Sequence, residues 1–165
     1  MVVLQKKTKK KRRMSDYDKC LASAQRSLAM REHSKFQIKN KLINKGFDKT
    51  TVNDVLLELN DSGYQSDQRY TREYIRYRQN IGYSSKKIIY ELKSNGISSE
   101  VINDNLSSFN DDYEVLFDLA STKIVKKRLE DQKFLMKYVN QFKSRGFEDS
   151  IILKVINNIK HNEIQ

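Results

Sequence analysis

The stretch Lys41-Leu42-Ile43-Asn44-Lys45-Gly46-Phe47 returns as Glu91-Leu92-Lys93-Ser94-Asn95-Gly96-Ile97, and again as Gln141-Phe142-Lys143-Ser144-Arg145-Gly146-Phe147. Gly46, Gly96 and Gly146 are 50 residues apart, with no insertion between them. The correspondence continues downstream through Val52, Ile102 and Ile152, then Leu56, Leu106 and Ile156, then Leu59, Phe109 and Ile159. Steps of four and then three residues put each set on one helix face. Self-similarity at this period marks a stack of supersecondary units, each too small to bury its apolar face alone.

Glycine just past a helix can take the left-handed conformation that ends it, which fits Gly46, Gly96 and Gly146. The apolar residue after each glycine pairs with another five positions on: Phe47 with Val52, Ile97 with Ile102, Phe147 with Ile152. With Asp48, Ser98 and Glu148 as N-caps, each pair is a hydrophobic staple that sets the angle of the next helix. Gly63 and Gly82 fit two further helix ends. Ser15-x-x-Asp18, Ser34-x-x-Gln37, Asp111-x-x-Glu114 and Ser84 read as helix starts. These signals predict nine helices over 16–30, 34–45, 48–62, 67–81, 84–95, 98–109, 111–128, 131–145 and 148–160. The expected architecture is all-α: a tail over 1–14 and three three-helix repeats over 15–66, 67–110 and 111–165, stacked into an elongated, curved, solenoid-like body.

The 165 residues hold 32 Lys+Arg against 21 Asp+Glu, a net charge of +11. Lys6, Lys7, Lys9, Lys10, Lys11, Arg12 and Arg13 supply +7 of it within an acid-free segment. Such a run repels itself and reads as a disordered arm, either phosphate-binding or merely solubilising. A single Cys and two His leave no disulfide framework, structural zinc site or catalytic triad to build. No phosphate-cradling glycine loop, dinucleotide fingerprint or zinc-protease motif occurs. No apolar run reaches the ~20 residues of a membrane helix. The expectations are therefore no enzyme activity, no cofactor, no metal, no membrane and no small-molecule substrate.

The second repeat reads Gly63-Tyr64-Gln65-Ser66-Asp67-Gln68-Arg69-Tyr70, then Tyr74-Ile75, Arg78, Gly82, Ile88, Glu91-Leu92 and Gly96-Ile97. The first offers Arg31-Glu32-His33-Ser34, Lys41-Leu42 and Gly46-Phe47, and the third Phe134-Leu135, Arg145-Gly146-Phe147 and Ile152. Across roughly residues 17–160 this resembles the RecX family of bacterial recombination regulators. Gln37-Ile38 stands where the family usually has Glu-Leu, and Thr71 where it has alanine. The resemblance implies tandem three-helix repeats and binding to the RecA recombinase, in the helical groove of its filament on single-stranded DNA. It implies inhibition of RecA ATP hydrolysis, strand exchange and coprotease activity, and so a role in DNA repair, recombination and the SOS response. Direct binding to single- and double-stranded DNA is implied too. The expected protein is cytoplasmic and monomeric.

Residue by residue, the candidates carry two readings each. Tyr70, Tyr74, Tyr77 and Ile81 share a helix face and read as core with hydroxyls at the edge, or as base-stacking groups. Arg69, Arg72 and Arg76 fall on the opposite face, as a solvated surface or a phosphate- or partner-binding ridge. Arg78 is expected to tie to Asp67. Lys126, Lys127 and Arg128 suit a helix C-terminus by charge alone, or bind phosphate. Lys86 and Lys87, at a helix start, are possible contacts. His33 reads as a local hydrogen-bonder and Cys20 as buried. The alternative function is a sequence-specific helix-turn-helix DNA-binding regulator, although no helix starts with the Asn, Gln and Arg cluster that would read base edges.

Overall fold

The computed structural model describes residues 14–124 and 131–161. Within them the chain forms α1 (Asp16–Met30), α2 (Lys35–Asn44), α3 (Lys49–Asp61), α4 (Asp67–Asn80), α5 (Ser85–Ser94), α6 (Ser99–Asp104), a 3₁₀ turn (Leu106–Ser108), α7 (Asp112–Lys123), α8 (Gln132–Ser144) and α9 (Asp149–His161). No strand occurs among the described residues. The starts are chemically fixed. Ser15 and Asp18 form a capping box, and Ser34, Asp48, Ser66, Ser84, Ser98 and Asp111 each accept a first-turn N–H. Gly46, Gly96 and Gly146 have φ of 88°, 77° and 91°. After each, the N–H of the following apolar residue returns to the carbonyl of Leu42, Leu92 or Phe142, closing the helix end.

Three separate apolar clusters form. Cys20, Ala24, Ile38, Leu42, Val52, Val55, Leu56 and Leu59 make the first. Tyr70, Ile75, Ile88, Leu92, Ile97 and Ile102 make the second. The third gathers Leu116, Ala120, Phe142, Ile152, Val155, Ile156 and neighbours. Each cluster draws on three consecutive helices, because the 3.6-residue period points one stripe of each inward.

Two expected helices are shorter than the sequence suggests. In place of 98–109, α6 stops at Asp104. The buried Asn105 side chain donates to the Val101 carbonyl at 2.7 Å and to Gln68 Oε1, and the backbone tightens into the 3₁₀ turn. Leu106, aligned by period with the buried Leu56 and Ile156, is consequently 51% exposed. In place of 111–128, α7 ends at Lys123, and Ile124 turns extended (φ −84°, ψ 115°) and buries its side chain. Residues 125–130, with Lys126, Lys127 and Arg128, lie outside the described residues, as does the basic tail.

The units join through polar seams that obey the same 50-residue rule. At the first seam the Ser34 hydroxyl donates to the Asn95 carbonyl at 2.7 Å, and the Lys35 N–H donates to Asp67 at 2.8 Å. At the second, the Ser84 N–H donates to the Arg145 carbonyl at 3.2 Å, and the Ser85 N–H to Asp112 at 2.8 Å. Ser84 and Arg145 stand 50 residues beyond Ser34 and Asn95. In both seams the N-terminus of a unit's second helix abuts the C-terminal end of the next unit's second helix. The carboxylate that opens the next unit's first helix then takes an orphan N–H.

Candidate nucleic-acid and partner interface

The first seam opens into a cleft of about 910 Å³ lined by Arg31, Gln37, Tyr70, Arg72, Tyr74, Tyr77 and Asn95 among others. Gln37 spans its floor, donating to the Tyr70 hydroxyl at 3.1 Å and to Asn95 Oδ1 at 3.0 Å. The departure from the family's glutamate at position 37 thus puts an amide donor across the seam. The other departure, Thr71, is buried and donates its hydroxyl to the Asp67 carbonyl one turn back.

The three arginines of the α4 stripe do three different things. Arg69 is committed to structure: its Nε donates to Glu32 at 2.9 Å, and its two terminal nitrogens donate to the Gly63 and Tyr64 carbonyls, each at 2.9 Å. It thereby closes the end of α3 and pins the first unit to the second. Arg76 pairs with Glu73 one turn away on the exposed surface, a kind of contact worth at most about 1 kcal/mol. Arg72 is exposed and faces the cleft. The stripe is therefore split. Arg69 and Arg72 share the cleft with Tyr70, Tyr74 and Tyr77, where the sequence placed tyrosines and arginines on opposite faces. The cleft forms between elements, so helix angle alone does not decide its lining.

The tyrosine stripe is likewise graded. Tyr70 is buried, Tyr74 half-buried, Tyr77 60% exposed and Ile81 37% exposed. The inward face of α4 is Tyr70, Thr71, Ile75 and Gln79. Gln79 fills a polar core position by donating to the Asn110 carbonyl and accepting the Asn110 N–H, both at 3.0 Å.

The expected tie between Arg78 and Asp67 does not form. The two lie eleven residues apart, about 16 Å along a helix, so a shared angular position is not a contact. Asp67 accepts from the Lys35 N–H and from Gln65 Nε2, each at 2.8 Å. Arg78 instead forks onto Glu91, with Nε to Oε2 at 2.8 Å and Nη2 to Oε1 at 2.6 Å. Its guanidinium lies 3.4 Å from the centre of the Tyr83 ring. Burial opposes the Arg78 charge, but the hydrogen bonds and charge of Glu91 outweigh it and hold the guanidinium above its ordinary value. Tyr74 donates to Glu91 Oε2, the oxygen that Arg78 Nε also reaches, at 3.0 Å. Burial, followed by that hydrogen bond and the carboxylate charge, pushes the phenol up to about 12.

Lys86 is exposed, 3.7 Å from Glu148, and Lys87 lies near the Tyr90 ring. Among the described residues no three His, Cys, Asp or Glu side chains converge to hold a metal ion, and no helix is long and apolar enough to cross a membrane.

His33 is buried in the first seam, with its Nδ1–H donating to the Arg31 carbonyl at 2.9 Å and its carbonyl accepting from Gln65 Nε2 at 3.3 Å. Burial pulls the imidazole below its ordinary 6.5; the Arg31 and Lys41 charges act the same way, and the Arg31 carbonyl and Glu32 oppose them. The unfolded chain therefore takes up this proton first. Stability from neutral His33 is complete above about pH 6.5 and is lost as pH falls through the lowered folded value. Urea midpoints should drop between pH 7 and pH 5, and H33Q should flatten that drop. Parallel pH profiles for the two proteins would remove His33 as its source.

Sequence reasoning reached Arg72 and Tyr70 but not Arg31, Gln37 or Asn95 as cleft and seam residues, nor Glu91 as the partner of Arg78. The signal available for them was their place in the repeat frame. Positions 37 and 87, and 95 and 145, are equivalent, and a seam at one predicts a seam at the other.

The chain matches the family model for the first three-helix domain of RecX over residues 20–59, and that for the second over residues 66–106. It is 35% identical over 144 residues to the regulatory protein RecX of Legionella pneumophila (strain Corby), covering 86% of this chain and 95% of that one. It is 31% identical to the regulatory protein RecX of Haemophilus ducreyi over 122 residues, 73% of this chain and 79% of the relative. The crystal structure of RecX from Lactobacillus salivarius superposes with a TM-score of 0.67 at 18% identity, covering 88% of this chain and 97% of that one. The repeat frame, the seams and this identity over nearly the full length of a relative place the chain in the RecX family of regulatory proteins.

Proposed function

We propose that this chain restrains the RecA recombinase. It binds the filament that RecA forms on single-stranded DNA, lies in the helical groove and bridges neighbouring subunits. RecA ATP hydrolysis, strand exchange and coprotease activity fall as a result. It acts in the cytoplasm as a monomer, needs no cofactor and catalyses no step of its own. The observation that carries this reading is the 35% identity to a regulatory protein RecX over 95% of that protein's length. The tandem architecture supports it physically. Units joined end to end can engage several subunits of a periodic filament at once, and linked contacts raise the effective concentration of each other.

The test is RecA ATPase on single-stranded DNA with this protein added below the RecA concentration. Hydrolysis should fall in a dose-dependent way. Rates unchanged at saturating protein would reject the proposal.

A further inference from the structure

Taken together, the second helices of the three units carry the largest positive surplus, +8, although α4 among the first helices is itself +2. Helices α2, α5 and α8 carry nine lysines, Lys35, Lys39 and Lys41, Lys86, Lys87 and Lys93, and Lys133, Lys137 and Lys143, against one carboxylate, Glu91. Glu91 is already engaged by Arg78 and Tyr74. The third helices α3, α6 and α9 carry three lysines against six carboxylates. The first helices α1, α4 and α7 are balanced, with seven charges of each sign.

The seams turn this composition into geometry. The N-terminus of α2 abuts the C-terminal end of α5 through Ser34 and Asn95, and the N-terminus of α5 abuts the end of α8 through Ser84 and Arg145. The three helices therefore run head to tail as one ridge of 33 residues, a contour of about 50 Å. Lys41, Lys93, Lys133 and Lys137 are exposed along it, and no carboxylate among the described residues pairs with any of them. Beside Lys41 a groove of about 640 Å³ is lined by Arg31, Asn40, Asn44 and Lys45, with no acid in it.

We infer that the ridge α8–α5–α2 is the track on which this protein holds the phosphodiester backbone of DNA. The proposal rests on the RecA-filament reading only for the setting in which that DNA is met. A single-sign set of cations spread over three helices in line matches a polymer that bears one charge per nucleotide. Protein interfaces deplete charge at their centre and mix both signs. The exposed Asn40, Asn44, Tyr90 and Asn140 between the cations give the unpaired bases of a single strand amide and aromatic partners.

The test removes one unpaired cation per unit in the full-length protein, as K41Q/K93Q/K137Q, with R72Q as the control from the α4 cleft. Glutamine keeps helix propensity nearly unchanged, and circular dichroism verifies the fold. Binding to an unstructured single-stranded oligonucleotide is followed by fluorescence anisotropy from 50 to 200 mM salt, with a duplex of equal length alongside. The log–log slope should shrink by about two for the triple variant on single strands, at about 0.7 per phosphate lost, and by less than one for R72Q. An undiminished slope in the triple variant overturns the inference. So does a loss of RecA inhibition with bare-DNA binding intact, which would make the ridge a protein contact. Failure of the wild-type protein to inhibit RecA would reject the proposed function and leave the slope result standing.

Discussion

Gly96→Ala is expected to lower stability by about 2–5 kcal/mol, while the equivalent Gly46→Ala costs only about 1–2. Both glycines sit at left-handed φ, 77° and 88°, and each substitution carries the conformational cost of a Cβ there. The surroundings differ. A Cβ at Gly96 would lie 2.5 Å from the Phe36 Cβ and 2.9 Å from its Cγ, whereas at Gly46 nothing lies within 4 Å. Phe36 cannot rotate its Cβ away, because that atom is fixed by the first turn of α2. Relief must come from opening the seam that Ser34 and Asn95 close. Gly146 is intermediate. Its Cβ would meet Ser84 Oγ at 2.5 Å and Lys87 Cβ at 2.7 Å, so the cap of α5 must give way. Urea midpoints of the three single variants should rank Gly46→Ala as mildest and Gly96→Ala as most severe. Equal costs at all three would mean that the helix ends do not abut as described. The physical reason for the ranking is position in the stack. Gly46 closes the second helix of the first unit, where no helix start among the described residues abuts it.

The unit fold was legible from sequence because its determinants are local. A glycine, a staple and a cap lie within about six residues, and the apolar stripe follows from the helical period. What the sequence did not expose depends on distances between units. Asp67 and Arg78 share an angular position on α4, yet their partners, Lys35 and Glu91, come from α2 and α5. Arg69 reads as a surface cation until the chain folds and the Gly63 and Tyr64 carbonyls and Glu32 converge on it. Leu106 carries the right period for a core residue and misses the core, because Asn105 takes the Val101 carbonyl and tightens the turn. The lysines of α2, α5 and α8 look scattered along the chain. Only end-to-end stacking brings those three helices into line, so the charge surplus alone could not locate their shared surface.

Glu91→Gln is expected to destabilise the protein by about 3 kcal/mol, at the lower end of the range for breaking a buried pair. The Arg78 and Glu91 side chains are 15% and 19% exposed, so removing the carboxylate charge leaves a largely desolvated guanidinium without its counter-ion. Arg78→Lys should cost less, about 1–2 kcal/mol, because the charge survives while the two-pronged geometry and the flat contact with Tyr83 are lost. A double variant with leucine at both positions should be less damaging than Glu91→Gln, since no unpaired charge remains. A spectroscopic readout separates this account from generic misfolding. The Glu91 carboxylate helps to hold the Tyr74 phenol near 12, so Glu91→Gln should let that tyrosine ionise at lower pH in an ultraviolet titration. Burial alone would still keep it above 10. An E91Q midpoint within about 0.5 kcal/mol of wild type would show that the pair is solvent-screened and structurally idle. The first unit carries Leu28 and Lys41 at the equivalent positions and the third has Gln141 in place of Glu91, so the carboxylate of this lock belongs to the middle unit. There Tyr83 also lies 4.8 Å from the Arg145 guanidinium, which hydrogen-bonds the Ile81 and Gly82 carbonyls. Loss of the lock should therefore loosen the second seam together with the α4–α5 pair, and hydrogen exchange at the start of α5 should rise in the same variant.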